Sequence, residues 1–143
     1  MEKENNQEIL FVCVENAGRS QMAQAFAEKF GLKAASAGTV PSSRVNPMVV
    51  EAMKEKELDL SRKQPRPLTP EMIDRAALVI TMGCSVANVC PKPILARMQK
   101  KMIDWDLPDP KGKSIQQVRK IRDEIERRVT QLYEDRKNGV REL

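Results

Sequence analysis

Apolar runs and helical repeats alternate along this chain from its first buried segment onward. Residues 9–14 form a short, continuously apolar run, which is typical of a strand buried on both faces of a parallel sheet. The apolar residues of the following segment recur at helical intervals: Met22, Ala23, Phe26 and Phe30. The sequence therefore predicts a central strand, a tight loop and a helix over residues 20–30.

The same alternation continues through the rest of the chain. Further strands are predicted over residues 33–37, 77–82 and 101–104. A second helix is predicted from Pro47 to about Lys56, and a short third helix is predicted after the capping residue Thr69. A long helix is predicted from Ser114, because its apolar residues form a stripe that reaches Leu132. Strands that alternate with helices indicate a parallel α/β sheet whose ligands bind at the carboxyl ends of the strands.

Length and composition favour one folded domain. The 143 residues are enough for a single core, and 41% apolar with 31% charged residues is a globular balance. No repeat or break in composition divides the chain, so we expect one domain over residues 1–143, with residues 1–7 as a flexible N-terminus. That polar start precedes only a strand-length apolar run, which excludes a signal peptide's hydrophobic region and favours a cytoplasmic protein. We also expect a monomer without a membrane partner.

Charge and residue types exclude several classes of function. The net charge of +5 does not indicate nucleic-acid binding, because acidic residues are interleaved with the basic ones and aromatic residues make up only 3%. Histidine is absent from the sequence, which removes catalytic triads, Cys-His dyads and imidazole metal sites, and we expect no structural metal. Three thiols in a reducing compartment favour catalytic or redox roles over structural disulfides.

The loop after the first strand has the chemistry of an anion site. Cys13 and Arg19 stand at its two ends, between the predicted strand and the predicted helix. Helix N-termini offer free backbone N–H groups, and a guanidinium can hold two oxygens at once, so a tetrahedral oxyanion suits this loop. The same positive field favours a thiolate, which predicts that Cys13 is a nucleophile. The alternative is that Cys13 is only a buried apolar residue at the end of a strand. That alternative does not account for its position between a clear strand and a clear helix.

An apolar strand followed by Cys13, five residues, Arg19 and Ser20 resembles the low-molecular-weight tyrosine phosphatase superfamily. The resemblance implies a three-layer α/β fold with a central four-stranded parallel sheet in flavodoxin-like order. It also implies an anion held by the loop residues Val14, Glu15, Asn16, Ala17, Gly18, Arg19 and Ser20. In that family the asparagine holds the loop's shape, the arginine binds the anion and the serine steadies the thiolate. Glu15, Ala17 and Gly18 depart from the commoner pattern, and the Glu15 carboxylate is expected to point away from the anion.

A departing oxygen needs a general acid, and without histidine the candidate is a carboxylic acid. Asp109, followed by Pro110, matches the late Asp-Pro of the superfamily, where the aspartate is the acid. Asp104 and Asp106 are alternatives, and an ordinary Asp-Pro turn is the structural alternative. Phosphatases of this fold usually carry tyrosines after the Asp-Pro, whereas this chain has Lys111 and Gly112.

The two remaining cysteines sharpen the resemblance. Cys84 and Cys90 follow the third predicted strand, in the segment where thioredoxin-coupled arsenate reductases carry two additional cysteines. That resemblance implies catalytic roles for Cys13, Arg19, Cys84, Cys90 and Asp109, with arsenate as substrate and phosphate or sulfate as analogues. It implies no bound cofactor, because thioredoxin or a similar dithiol protein regenerates the enzyme. A low-molecular-weight tyrosine phosphatase and a non-catalytic oxyanion-binding module remain as alternatives.

Overall fold

The computed structural model describes residues 8–83 and 101–137 of this chain. The expectations for Cys84, for Cys90 and for a flexible N-terminus over residues 1–7 concern residues outside these ranges. The single domain over residues 1–143 likewise stays a prediction.

Four parallel strands form the sheet at the centre of the described structure. They are β1 (Ile9–Cys13), β2 (Ala34–Gly38), β3 (Leu78–Thr81) and β4 (Met102–Asp104). Their order is β2-β1-β3-β4, and every neighbouring pair is parallel. The predicted four-stranded parallel sheet in flavodoxin-like order is therefore confirmed. Because all four strands run the same way, the segments that follow β1, β3 and β4 emerge at one edge of the sheet.

The described helices are α1 (Arg19–Lys29), α2 (Pro47–Lys54), α3 (Pro70–Arg75) and α4 (Ile115–Lys137). Asn46 caps α2 by accepting a hydrogen bond from the Met48 N–H at 2.9 Å, and Thr69 caps α3 in the same way. Helix α2 ends earlier than predicted because the backbone turns into the left-handed region at Glu57, with φ of 64°. Among these helices, none is both long and apolar enough to cross a membrane.

Each face of the sheet buries its own apolar core. Ile9, Phe11 and Cys13 of β1 belong to the larger core, which also contains residues of α1, α2 and α4. The alternate residues Leu10 and Val12 pack with α3 on the other face. This alternation buries β1 on both sides, as its continuous apolar run predicts. It also places the Cys13 thiol at the carboxyl end of a central, rigid strand.

An ion-pair cluster fastens α4 to the end of α2. The Arg122 guanidinium donates to the Ala52 carbonyl at 2.9 Å and to the Glu55 carboxylate at 2.6 Å. Arg119 donates to the other Glu55 oxygen at 2.7 Å. The hydrogen bond from Arg119, followed in size by the one from Arg122, lowers the pKa of Glu55 from 4.5 to about 2. The charged form of Glu55 is therefore favoured in the folded protein.

We expect Glu55→Gln to lower the thermal stability at neutral pH and to have progressively less effect in acid. A carboxyl group whose pKa is depressed by folding stabilises the protein above its unfolded pKa, near 4.5, and loses that contribution as the pH falls to about 2. Differential scanning fluorimetry of both proteins across this range measures the difference in Tm. Glu134→Gln on α4 serves as the control; a Tm difference independent of pH would contradict the assignment.

Candidate active site

The loop between β1 and α1 is held by the segment that follows β2. The N–H groups of Thr39, Val40, Ser42 and Asn46 donate to the carbonyl oxygens of residues 13, 14, 15 and 17, at 3.2, 2.8, 2.9 and 2.8 Å. These carbonyls are therefore satisfied by residues 39–46 on the outer side of the loop. A loop whose carbonyls are bound on one side leaves its N–H groups available on the other, which creates a concave site for an anion.

Backbone contacts explain why the loop needs small or specialised residues. Asn16 adopts the left-handed conformation, with φ of 52°, which asparagine tolerates better than most residues. Gly38 lies against the loop so closely that an added Cβ would stand 2.7 Å from the Val14 carbonyl oxygen and 2.9 Å from the Asn16 nitrogen. The end of β2 and the anion loop thus require a glycine between them.

A directed chain of hydrogen bonds ends at the Cys13 sulfur. The Arg66 N–H donates to Asn16 Oδ1 at 2.9 Å, which fixes the orientation of the Asn16 amide. Asn16 Nδ2 then donates to the hydroxyls of Ser20 at 2.7 Å and Ser36 at 3.0 Å. Because the Ser20 oxygen already accepts from Asn16, its own proton is free for Cys13 Sγ, 2.9 Å away. The Asn16 N–H, 3.2 Å from the same sulfur, is a second donor. Both groups can donate to the sulfur when the thiol is ionised.

The Arg19 side chain is buried, and one edge of its guanidinium faces the cavity beside Cys13. Its Nη1 donates to the carbonyl oxygens of Met82 at 2.7 Å and Leu107 at 2.8 Å, which anchors it to the segments after β3 and β4. Gly83 makes room for this contact, since a Cβ there would lie 2.6 Å from Nη1. With Nη1 occupied, Nη2 and Nε remain for an oxyanion. Helix α1 begins here without a side-chain cap or an acidic residue in its first turn, which adds to the positive field.

A cavity of about 260 Å³ opens above Cys13 and Arg19. Asp109 lines it, with a half-exposed carboxylate whose Oδ2 lies 3.8 Å from Arg19 Nη2. Of the other two carboxylates considered from the sequence, Asp104 accepts hydrogen bonds from the Thr81 hydroxyl and the Gly83 N–H, at 2.6 and 3.2 Å. Asp104 and Asp106 do not line the cavity. Asp109 is thus the one of the three carboxylates that lies at the cavity.

The loop residues differ in whether they line the cavity. Cys13, Glu15, Ala17, Gly18 and Arg19 line the cavity. Asn16 and Ser20 lie buried behind it in the hydrogen-bond chain, and the side chain of Val14 packs with the smaller core. The Glu15 carboxylate forms an ion pair with Lys111 at 3.0 Å, at the rim of the cavity.

Three polar residues outside the loop extend the hydrogen-bond chain, and the sequence did not assign them a role in the site. Ser36 donates to Gln24 at 2.6 Å, and the Gln21 amide donates to Asn16 Oδ1 at 3.1 Å, which extends the polar chain into α1. The polar side chains of Gln21 and Gln24 in a helix that is mostly buried were the available signal. Over residues 8–83 and 101–137, no three cysteine, aspartate or glutamate side chains come together in a way that could hold a metal ion.

Comparison with known proteins identifies the family. Residues 8–142 match the family described as low molecular weight phosphotyrosine protein phosphatase. The chain belongs to this family. A relative from Halobacterium salinarum is 40% identical over 133 residues, covering 87% of this chain and 89% of the relative. The arsenate reductase of Brevibacillus brevis is 32% identical over 134 residues, with 92% and 97% covered.

Solved structures of this phosphatase family resemble the whole described fold. The YwlE arginine phosphatase from Geobacillus stearothermophilus has a TM-score of 0.83 and 28% identity, covering 93% of this chain and 94% of that one. The thioredoxin-dependent arsenate reductase of Corynebacterium glutamicum has a TM-score of 0.74 and 33% identity. That similarity covers 94% of this chain and 63% of the Corynebacterium chain. The fold therefore carries both hydrolytic and reductive members.

We expect Ser20→Ala to slow the alkylation of Cys13 by iodoacetamide about 10- to 100-fold at neutral pH, because removing a hydrogen bond to a charged group costs about 1.5–3 kcal/mol. The rate is measured by mass spectrometry of the Cys13 peptide, in a Cys84→Ser/Cys90→Ser background so that one thiol reacts. Ser61→Ala, a remote serine substitution, is the control and should leave the rate unchanged. An equal rate in the Ser20 and Ser61 variants would show that the hydroxyl does not stabilise the thiolate.

Proposed function

We propose that this protein reduces arsenate to arsenite, with Cys13 as nucleophile and Cys84 and Cys90 as a disulfide relay. The observation that carries the proposal is the convergence of the Cys13 thiol, the Arg19 guanidinium and the Asp109 carboxylate on one cavity. The arsenate reductase relative and the reductase neighbour support a reductive role for this arrangement. The presence of Cys84 and Cys90 in the sequence supplies the two further thiols that reduction needs.

The first step is substitution at arsenic. Arsenate binds to the loop N–H groups and to the free edge of Arg19, and the Cys13 thiolate attacks the arsenic atom. An As–O bond breaks as an S–As bond forms, and Asp109 gives the departing oxygen a proton so that it leaves as water. The Ser20 hydroxyl and the Asn16 N–H lie within hydrogen-bond distance of the sulfur and can donate to its thiolate form. The product is a Cys13–arsenate thioester-like adduct with arsenic still pentavalent.

The second step transfers electrons within the protein. The Cys84 thiolate attacks Cys13 Sγ, the S–As bond breaks, and arsenic takes the bonding pair and leaves as arsenite. Two thiols have then been oxidised to the Cys13–Cys84 disulfide and arsenic has been reduced from pentavalent to trivalent. Cys90 attacks Cys84, which frees the Cys13 thiolate and leaves a Cys84–Cys90 disulfide.

An external dithiol completes the cycle. Thioredoxin is the reductant we propose, because a disulfide between Cys84 and Cys90 is a substrate for attack by a dithiol protein. The thioredoxin dependence of the Corynebacterium relative supports this choice. The proposal places the protein in the cytoplasm, where thiols remain reduced, and requires neither a bound cofactor nor a second protomer.

A phosphatase activity is the second candidate, and the same cavity favours it. Cys13, Arg19 and Asp109 would perform the opening step on a phosphate ester, and water would then release phosphate from the cysteine. The family description and the arginine phosphatase neighbour support this candidate. The two functions differ in the thiols they need, since hydrolysis uses Cys13 but neither Cys84 nor Cys90.

We expect arsenate to drive NADPH oxidation by the wild type in the presence of thioredoxin and thioredoxin reductase. Cys13→Ser, Cys84→Ser and Cys90→Ser should each lower this turnover at least about 100-fold, because the three thiols act as a unit. A parallel assay with glutaredoxin, glutathione and glutathione reductase tests the identity of the reductant.

Hydrolysis of para-nitrophenyl phosphate by the same variants provides the control. Cys90→Ser should leave any such hydrolysis intact while it abolishes arsenate turnover. If arsenate turnover is absent in the wild type, and the phosphate ester is hydrolysed equally with and without Cys84 and Cys90, the protein is a phosphatase and the relay is wrong.

A further inference from the structure

A carboxylate belongs to the loop that lines the cavity. Glu15 follows Cys13 by two residues and lines the cavity together with Asp109, and its carboxylate pairs with Lys111, which lines the cavity as well. The cationic side chains that line the same cavity are Arg19, Arg44 and Lys111. A carboxylate at this position opposes the binding of a doubly charged oxyanion, because like charges at close range repel each other. Without a compensating positive charge, Glu15 would therefore weaken the binding of the proposed oxyanion.

Lys111 reaches this carboxylate from the turn that carries Asp109. Its Nζ lies 3.0 Å from Glu15 Oε2, and the pair raises the pKa of Lys111, which keeps the lysine charged. Its backbone N–H donates to Asp109 Oδ1 at 3.0 Å. One residue thus contacts both Asp109 and Glu15.

The turn has the geometry to hold Lys111 in that place. Gly112 follows with a left-handed φ of 76°, which reverses the chain directly after the lysine. Pro110 packs so closely on the anion loop that a Cβ on Gly18 would stand 2.7 Å from its ring. The Asp109 turn is therefore docked on the loop by apolar contact as well as by the ion pair.

We propose that Lys111 determines the oxyanion affinity of this site by neutralising Glu15. Together the two side chains contribute no net charge to the cavity, so a bound dianion interacts mainly with the other cationic residues, Arg19 and Arg44, and with the loop N–H groups. Removal of Lys111 alone leaves the negative charge of Glu15 beside the ligand. The inference rests on the oxyanion site of the proposed function, but it does not depend on arsenate being the substrate.

This role differs from direct binding of the anion by Lys111. If the lysine only balances Glu15, removing both side-chain charges restores the original net charge and with it the original affinity. If the lysine is itself a ligand, the affinity stays low when Glu15 is also removed, because the contact to the anion is still missing. The two roles therefore predict different outcomes for the double variant.

Isothermal titration calorimetry with inorganic phosphate tests the proposal on the full-length reduced protein. At low ionic strength we expect Lys111→Met to weaken phosphate binding about tenfold and Glu15→Gln to tighten it, because Glu15→Gln leaves the positive charge of Lys111 unbalanced. The Lys111→Met/Glu15→Gln double variant should return to within about twofold of the wild type. The effect of Lys111→Met should shrink in about 0.5 M salt, because screening weakens interactions between exposed charges.

Lys113→Met is the matched control, since Lys113 lies two residues away and does not line the cavity. It should leave the phosphate Kd within about twofold of the wild type. Thermal unfolding of every variant shows whether a change in Kd reflects a change in the fold. A Lys111→Met variant that is correctly folded and binds phosphate like the wild type would overturn the proposal.

A double variant that stays at least fivefold weaker than the wild type would also overturn it, in favour of direct binding by Lys111. If the wild type binds no phosphate at millimolar concentrations, the proposal fails together with the oxyanion site. Phosphate binding with the expected pattern but without arsenate turnover would refute only the proposed reduction. The binding readout therefore separates the failure of this inference from the failure of the function.

Discussion

The active site depends on backbone hydrogen bonds that bind the carbonyl groups of the anion loop from behind. The segment after β2 donates to the carbonyls of Cys13 and three other loop residues, so the loop's N–H groups are left for the cavity. Gly38 permits this contact, since any Cβ would collide with the loop backbone. Without this support, carbonyl oxygens would compete with N–H groups for the same space, and an oxyanion would find no consistently positive surface.

The same edge of the sheet provides the other parts of the site. Arg19 starts α1, yet its Nη1 is bound by carbonyls that follow β3 and β4, so the segments after two other strands hold its guanidinium. Asp109 comes from the segment after β4 and faces the free edge of that guanidinium. The parallel sheet therefore brings together residues almost a hundred positions apart without requiring long flexible loops.

Much of the fold could be read from the sequence because strongly periodic segments allow few other structures. The run over residues 9–14 predicted the central strand, and the order of strands and helices predicted the parallel sheet. The ends of the elements were less accurate, since α2 is terminated by the left-handed conformation of Glu57, which no residue type there requires. In the site, the spacing of Cys13 and Arg19 indicated an anion loop, because a thiol and a guanidinium there have little structural reason to occur.

The sequence by itself determined the chemistry of this protein: a thiol, a guanidinium, a late carboxylic acid and no histidine. Tertiary structure decided the detailed contacts of these groups. It lined the cavity with Asp109, the acid that the sequence favoured, and it engaged the alternative, Asp104, with Thr81 and Gly83. It placed the Ser20 hydroxyl against Cys13 Sγ, bound that hydroxyl to Asn16, held the Asn16 amide with the Arg66 N–H, and paired Glu15 with Lys111. Such contacts join residues distant in the chain, and their distances follow from the packing of the sheet and helices rather than from local sequence.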